Sequence, residues 1–596
     1  MQSELKLALV FAALFVCCLP ESSHAEEVQL FNMLDNSGFE EEAPASPDRS
    51  GLVRIPWWNS SGGASMLRGK AGERRLLTEG GGFARQPVAA FAPLAEQLVV
   101  RGRLRGSGSL TLIDGSGERA TIALESPEGE FLAFEIPAAR FAEKLGTPLV
   151  PRFELELRSE KTAEWDDLEF LVALPLPTPA ELRAEVVLEL DWILSLWLDH
   201  GLDDLGPSKS SLACKQLDVA TGELLAVEPA GLHPFSTVLL NAAVLEDNAS
   251  WRAALDVHLD DLLEYAVHPV TSLPRRWDFE RDVALDESIE LHGMFEFLIE
   301  VAFRGPANYR SRALEAVTLI GEEVLAKGVS PDGTVAAVYH PETGLPGPVL
   351  EPLQRLDVPA QLARLGVLTD DHHFSRAGRE ACVALAFTNY WPGSWDAIDP
   401  GWNENYGRLG RCATDMWLVF PEDKIFRGLS YGGALHYHDL WRDTLRLGGA
   451  VQANQVGCWL TLADIAQLAP ETAGDIGQLL LQAARVHFKG EQYGNGTWGN
   501  LAISQFDPVI SGEEAALPGT PSELLRGLAG IYRDELGLRT DEVRAMFTAV
   551  LRSSREQYRR EFGYLSTRSE VVGQNMGGAE LRFATGLCAM LKRLSN

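Results

Sequence analysis

Between Trp391 and Gly407 the chain reads WPGSWDAIDPGWNENYG, a stretch where carboxylates and amides alternate with large flat rings. Sugars present apolar C–H faces bordered by hydroxyls, so a sugar cleft needs this mixture of aromatic walls and polar rims. Glycoside hydrolysis further needs two carboxyl groups, one kept protonated against an apolar wall and one ionised. Glu404, flanked by Trp402 and Tyr406, has the neighbours of a proton donor, and Asp399 or Asp396 could be the base. Trp395, Trp402, Tyr406 and Arg408 would hold substrate. Each acid also has a structural use, because Asp and Glu cap helices and bond to turn backbone.

A second constellation follows in Tyr431–Arg442, YGGALHYHDLWR. Asp439 is a further possible base. His436, Tyr437 and His438, with Trp441, Arg442 and the later Asn454, also make a set suited to β-elimination. In that reaction Arg and Asn neutralise a uronate carboxylate while Tyr or His removes the C5 proton. His436 and His438 are a weak metal signal, since residues two apart point the same way only on a strand. Trp277, beside Asp278 and Glu280, and Trp498, in a Gly-relieved YGNGTWGN turn, are two more potential sugar platforms. No strand followed by a turn and a helix offers a nucleophile elbow, a phosphate loop or a dinucleotide fingerprint, and the catalytic reading calls for no cofactor.

Helices must position these segments. Residues 180–198 are apolar nearly all round and predict a fully buried helix, whereas Ile476, Leu479, Leu480, Ala483 and Val486 form one stripe over 471–488. Further helical windows fall near 251–266, 285–303, 307–327, 373–388, 450–467, 521–536, 540–560 and 579–594. Alternating buried and amphipathic helices predict an α/α toroid over 177–596, with about six helical hairpins. Its long connections (Leu273–His292, Asn389–Arg411, Ser430–Asn454, Phe488–Asp507, Phe562–Glu580) would gather at one end as a cleft.

Residues 26–176 differ. Short alternating runs such as 98–104, 110–113 and 153–157, separated by turns at Gly106–Gly108 and Asp114–Gly117, predict a β-sandwich. Pro175, Pro177 and Pro179 mark a semi-rigid linker, and with it a separately folding ring. Asn36-Ser37-Gly38-Phe39-Glu40 with Trp57-Trp58, and later Trp165-Asp166-Asp167-Leu168-Glu169-Phe170, resemble the first and last strands of carbohydrate-binding jelly-roll modules that front secreted glycanases. A β-sandwich ahead of an α/α toroid likewise resembles toroid glycoside hydrolases and polysaccharide lyases in architecture. The resemblance implies a polysaccharide or oligosaccharide partner. If Leu168 and Phe170 face the core, alternation turns Asp166 inward, where structural calcium held with Glu40, as similar modules carry, or an Arg would have to neutralise it.

The outline of the chain bounds the rest. A length of 596 residues allows about two to four domains. Lys6, the apolar run Leu7–Val16 and Ser23-His24-Ala25 have the order of a secretory signal peptide over residues 1–25, which predicts a secreted or periplasmic protein. No later run reaches the length of a membrane span. A formal charge of −32 argues against nucleic acid as a partner. Beyond the leader, Cys214, Cys382, Cys412, Cys458 and Cys588 are too scattered for a disulfide framework, although one bridge is possible. The expectation is a monomeric secreted inverting glycoside hydrolase; the alternatives are a uronate-polymer lyase and a non-catalytic glycan-binding protein.

Overall fold

A computed structural model describes residues 28–36, 55, 58–61, 63–68, 73–201, 214–217, 224–227, 233–278, 281–350, 355–386, 400–431, 450–452, 456–490, 492, 498, 502–504, 522–562 and 578–595. Among the described residues the N-terminal part holds ten antiparallel strands: β1 (Val28–Asn32), β2 (Asn59–Ser60), β3 (Ala64–Arg68), β4 (Arg74–Glu79), β5 (Phe83–Val88), β6 (Val99–Ile113), β7 (Arg119–Glu125), β8 (Leu132–Pro137), β9 (Phe153–Arg158) and β10 (Thr162–Pro175). Helix α1 (Ala138–Leu145) follows β8. The first half of β6 pairs with β8 and β10, and its second half pairs with β7 and β9. Two sheets therefore run into one another through a single bent strand.

The bend falls where the sequence predicted a turn. Gly106 has φ 103°, and a Cβ on Gly108 would lie 2.5 Å from the Trp165 ring. The glycines let a continuous strand change sheets over a buried tryptophan. Phe153 of β9 and Phe170 of β10 stack across the interior at 6.2 Å, and Trp165 donates to Thr78 Oγ1 at 3.0 Å.

The proline boundary is not a free linker. Pro175 ends β10 opposite Val28, Leu176 is buried, and the Pro177 carbonyl accepts from Arg544 at 2.9 Å.

The rest of the chain alternates between two layers of helices. One layer contains α3 (His233–Leu245), α5 (His292–Arg304), α7 (Asp357–Thr369), α9 (Pro400–Val419), α10 (Val456–Leu468), α12 (Ser522–Ile531) and α14 (Gly578–Ser595). Each packs against the next, and α14 packs against α3, so these helices close a ring. Around it lie α2 (Pro179–Gly201), α4 (Ala249–Asp261), α6 (Ala307–Glu323), α8 (His372–Ala386), helical residues 424–431, α11 (Ala473–Gly490) and α13 (Asp541–Phe562). Seven inner helices, rather than six, form the toroid among the described residues.

Two helices depart from the expected pattern. Helix α2 belongs to the outer layer: Leu182, Val186, Leu190, Ile193 and Leu194 are fully buried, but Leu188 is 57% exposed. Helix α9 begins at Pro400, inside a segment read as loop. Gly401, Gly407 and Gly410 lower its helix propensity, and ring packing overrides that local signal. By contrast, the α11 stripe Ile476, Leu479, Leu480, Ala483 and Val486 is buried as its periodicity requires. Among the described residues, no helix is long and apolar enough to cross a membrane.

Candidate functional site

Chain order fixes where a site can form. Inner helices lead to outer ones through short connections at 246–248, 305–306, 370–371, 420–423, 469–472 and 532–540. Outer helices lead back through long ones at 202–232, 262–291, 324–356, 387–399, 432–455, 491–521 and 563–577. All the long connections thus join the ring at the N-terminal ends of the inner helices. That end is the mouth of the ring, toward which the positive ends of the inner-helix dipoles point.

Below that mouth the ring interior is charged. Arg411 of α9 reaches Glu296 of α5 at 3.5 Å, although α7 separates those helices in the ring, so the contact crosses the interior. Arg364 of α7 stands 3.9 Å from Glu296 and hydrogen-bonds Glu300. Arg304 donates to Glu300 at 2.6 Å and to Asn241 of α3 at 2.5 Å. Arg533, just after α12, pairs with Asp464 of α10 at 2.8 Å. Arg411 is nonetheless 60% exposed, as expected for a side chain lining a wet lumen.

The interior holds its carboxyls in different states. Burial would raise Glu300, but hydrogen bonds from Arg304 and Arg364 keep it below the usual carboxylate range. Asp415, one turn beyond Arg411, is pushed up to about 6. Burial is the main cause, and the charges of Glu296 and Asp464 add to it, against the opposing pull of Arg411 and Arg364. A carboxyl held near neutrality in the same ring interior as an ionised one is an arrangement acid–base chemistry uses.

The sequence reading missed Glu296, Arg364, Arg411 and Asp415, since each is one ordinary charge within a helix. A signal was present in α9. Glu404, Arg408, Arg411 and Asp415 follow i, i+4, i+7, i+11 spacing and so occupy one stripe of the helix, Glu404 about 16 Å nearer the mouth than Asp415.

Trp402, Glu404, Tyr406 and Arg408 lie on the backbone of α9, their side chains outside the described residues. Asp396, Asp399, Trp395, His436, Tyr437, His438, Asp439, Trp441, Arg442 and Asn454 lie wholly outside them. Trp277 is half-buried in a hairpin of β11 (Trp277–Asp278) and β12 (Val283–Ala284) within the connection to α5. Arg275 packs over its ring at 4.9 Å while donating to the carbonyls of Glu264 and Tyr265, which end α4 in a π turn. His340, in the connection to α7, reaches across to Asp286 at 2.7 Å, so two neighbouring connections are tied at the rim.

Two expectations are corrected. Trp498 is not an open platform: it is 1% exposed, packs on Phe488 at 4.9 Å and donates to the Phe488 carbonyl at 2.7 Å. Asp166 does not turn into the sheet core. A bulge between Asp166 and Glu169, with Asp167 at φ 48°, breaks the alternation so that Trp165 and Leu168 face inward instead. One Asp166 oxygen accepts from Arg103 at 2.8 Å and faces Arg75 at 3.5 Å; the other accepts from the Asp167 amide at 3.0 Å. Two guanidinium groups face this carboxylate, which is the arginine pairing that the sequence offered as the alternative to calcium. Its proposed partner Glu40 lies outside the described residues, and no cluster of three or more His, Cys, Asp or Glu suited to a metal occurs among them.

No protein-family model matches the chain, and no curated protein matches it in sequence. Solved structures similar to it include a family 76 glycoside hydrolase from a bovine Bacteroides thetaiotaomicron strain, at 9% identity and TM-score 0.41 over 89% of this chain and 99% of that one. An α-1,2-mannosidase from Trichoderma reesei is similar at 9% identity and TM-score 0.44, over 70% of this chain and 93% of that one. An unsaturated glucuronyl hydrolase specific for heparin is similar at 11% identity and TM-score 0.34, over 62% and 97% respectively.

Proposed function

We propose that this chain is an exported carbohydrate-active enzyme, an inverting glycoside hydrolase that takes a saccharide at the mouth of the helical ring. The observation that carries this reading is Asp415, a carboxyl held near neutrality inside the ring, with Glu296 brought beside its neighbour Arg411. Asp415 donates a proton to the departing glycosidic oxygen, and Glu296, which faces Arg411 and Arg364, activates water from the opposite face. Glu404, higher on the same stripe, is the competing donor, with Asp399 and Asp439 as competing bases. The aromatics Trp395, Trp402, Tyr406 and Trp441 belong to segments that join the ring at its mouth and supply sugar platforms. The sheet domain is the polymer-binding module.

A second reading is β-elimination on a uronate polymer, favoured by the density of arginine in the ring interior, with Tyr437 or His438 as base and Arg442 and Asn454 at the carboxylate. Incubation with a panel of neutral and acidic polysaccharides separates the two. New reducing ends without ultraviolet absorbance support hydrolysis, whereas absorbance from unsaturated uronates supports elimination. Binding without either product would leave a glycan-binding protein.

A further inference from the structure

The described cysteines contain one close pair. Cys382 on outer helix α8 and Cys412 on inner helix α9 bring their sulfurs to 3.5 Å, with 0% and 2% exposure. Cys588 lies elsewhere, its sulfur facing the Val238 carbonyl on the far side of the ring. The pair sits in an apolar cluster with Ala360, Leu385, Ala386, Ala413, Met416 and Trp417. Among the described residues, the polar group seen to bond either sulfur is the Leu356 carbonyl, 3.1 Å from Cys412. Thiols are weak hydrogen-bond donors and acceptors, so the two sulfurs are held there chiefly by packing. A bond between them would instead tie an outer helix to the inner helix that carries Arg411 and Asp415.

We propose that Cys382 and Cys412 are joined as a disulfide in the mature protein, closing a covalent loop that contains Trp395, Asp399 and Glu404. The proposal rests on the exported reading, because such bonds persist in oxidising compartments. The thiolate of one cysteine attacks the disulfide of an oxidised thiol–disulfide oxidoreductase, forming a mixed disulfide and releasing one donor thiolate. The second cysteine, losing its proton to solvent, displaces the other donor sulfur. The donor departs as a dithiol carrying both electrons, and the Sγ–Sγ bond remains. The hydrogen bond with Cys382 and then burial raise the Cys412 thiol well above its ordinary range, so the packed Cys412 thiol is a poor nucleophile. The bond therefore forms before α8 and α9 finish packing.

The test uses the full chain produced through a bacterial export route. The purified protein is denatured and alkylated before and after reduction, then mapped by peptide mass. N-terminal sequencing of the same sample reports whether the leader was removed. The expected result is a cross-linked Cys382–Cys412 peptide whose sulfurs label only after reduction. Reductant should also lower the melting midpoint of the native protein by roughly a few degrees while leaving C382A/C412A unmoved. Free labelling of both thiols in leader-cleaved protein, or pairing of either with Cys214, Cys458 or Cys588, overturns the disulfide and leaves the exported reading standing. An intact leader overturns the exported reading and this proposal with it.

Discussion

The Lys489 ammonium on outer helix α11 is bonded to the Asp35 carboxylate just beyond β1, and the two side chains are 0% and 5% exposed. Lys489 also donates to the Met33 carbonyl at 3.1 Å. Nearby, Gln492 exchanges both amide hydrogen bonds with the backbone of Ala90, at 3.1 and 2.7 Å. The sheet domain and the ring thus meet through buried, mutually satisfied polar groups, and their hydrophobic residues form one continuous core.

Removing one member of such a pair strands a charge away from water. Lys489→Met should cost about 3–5 kcal/mol in denaturant unfolding, and Asp35→Asn added to it should restore part of the loss. The same reasoning predicts that residues 180–596 expressed alone aggregate, contrary to the autonomy suggested by the prolines at 175–179. A soluble, cooperatively melting ring domain would refute it.

Much of this architecture was legible in the sequence and some was not. The amphipathic stripe of α11 and the alternating strand at 153–157 announced themselves because each element buries one face. Helix α9 did not, because its glycines and its polar lumen face imitate a loop. Lys489 was illegible for another reason: its meaning depends on Asp35, 454 positions away. Local patterns report an element's own burial, whereas a paired charge is defined by a partner that only the fold supplies.

The sheet domain offers a test of its own. With Arg103 and Arg75 on Asp166, chelator should leave the melting curve unmoved. Asp166→Ala should change stability by less than about 1 kcal/mol, because Arg103 keeps Asp167 and Arg75 keeps Glu73 as partners. A drop in midpoint on adding chelator, reversed by calcium, would reinstate the metal.

Asp415 should also be visible in the pH dependence of stability. Its folded pKa, about 6, lies above the ordinary aspartate value. Between those two values the native state holds a proton that the unfolded chain has released, so this contribution is full in acid and is lost as pH rises through about 6. Asp415→Asn removes the penalty of an ionised group in that setting. The variant should melt higher than wild type at pH 7.5, with the gain vanishing near pH 4. Equal melting of the two proteins at both pH values would show that the carboxyl is not perturbed.

Catalysis by the same group makes the opposite demand. A proton donor must be protonated when substrate is bound, so the turnover of wild type should fall as pH rises past about 6. Asp415→Asn keeps the shape of the side chain but can neither donate nor titrate. On whichever saccharide the panel identifies, its turnover should drop by roughly a hundredfold or more and lose that alkaline limb, with substrate affinity nearly unchanged. Glu404→Gln is the discriminating companion. Nearer the mouth on the same stripe of α9, Glu404 would act on binding if it only lined the path, and its loss would then raise KM while leaving the pH limb in place. If Glu404→Gln abolishes turnover while Asp415→Asn retains it, the donor is Glu404, and Asp415 serves only the charge balance of the ring interior.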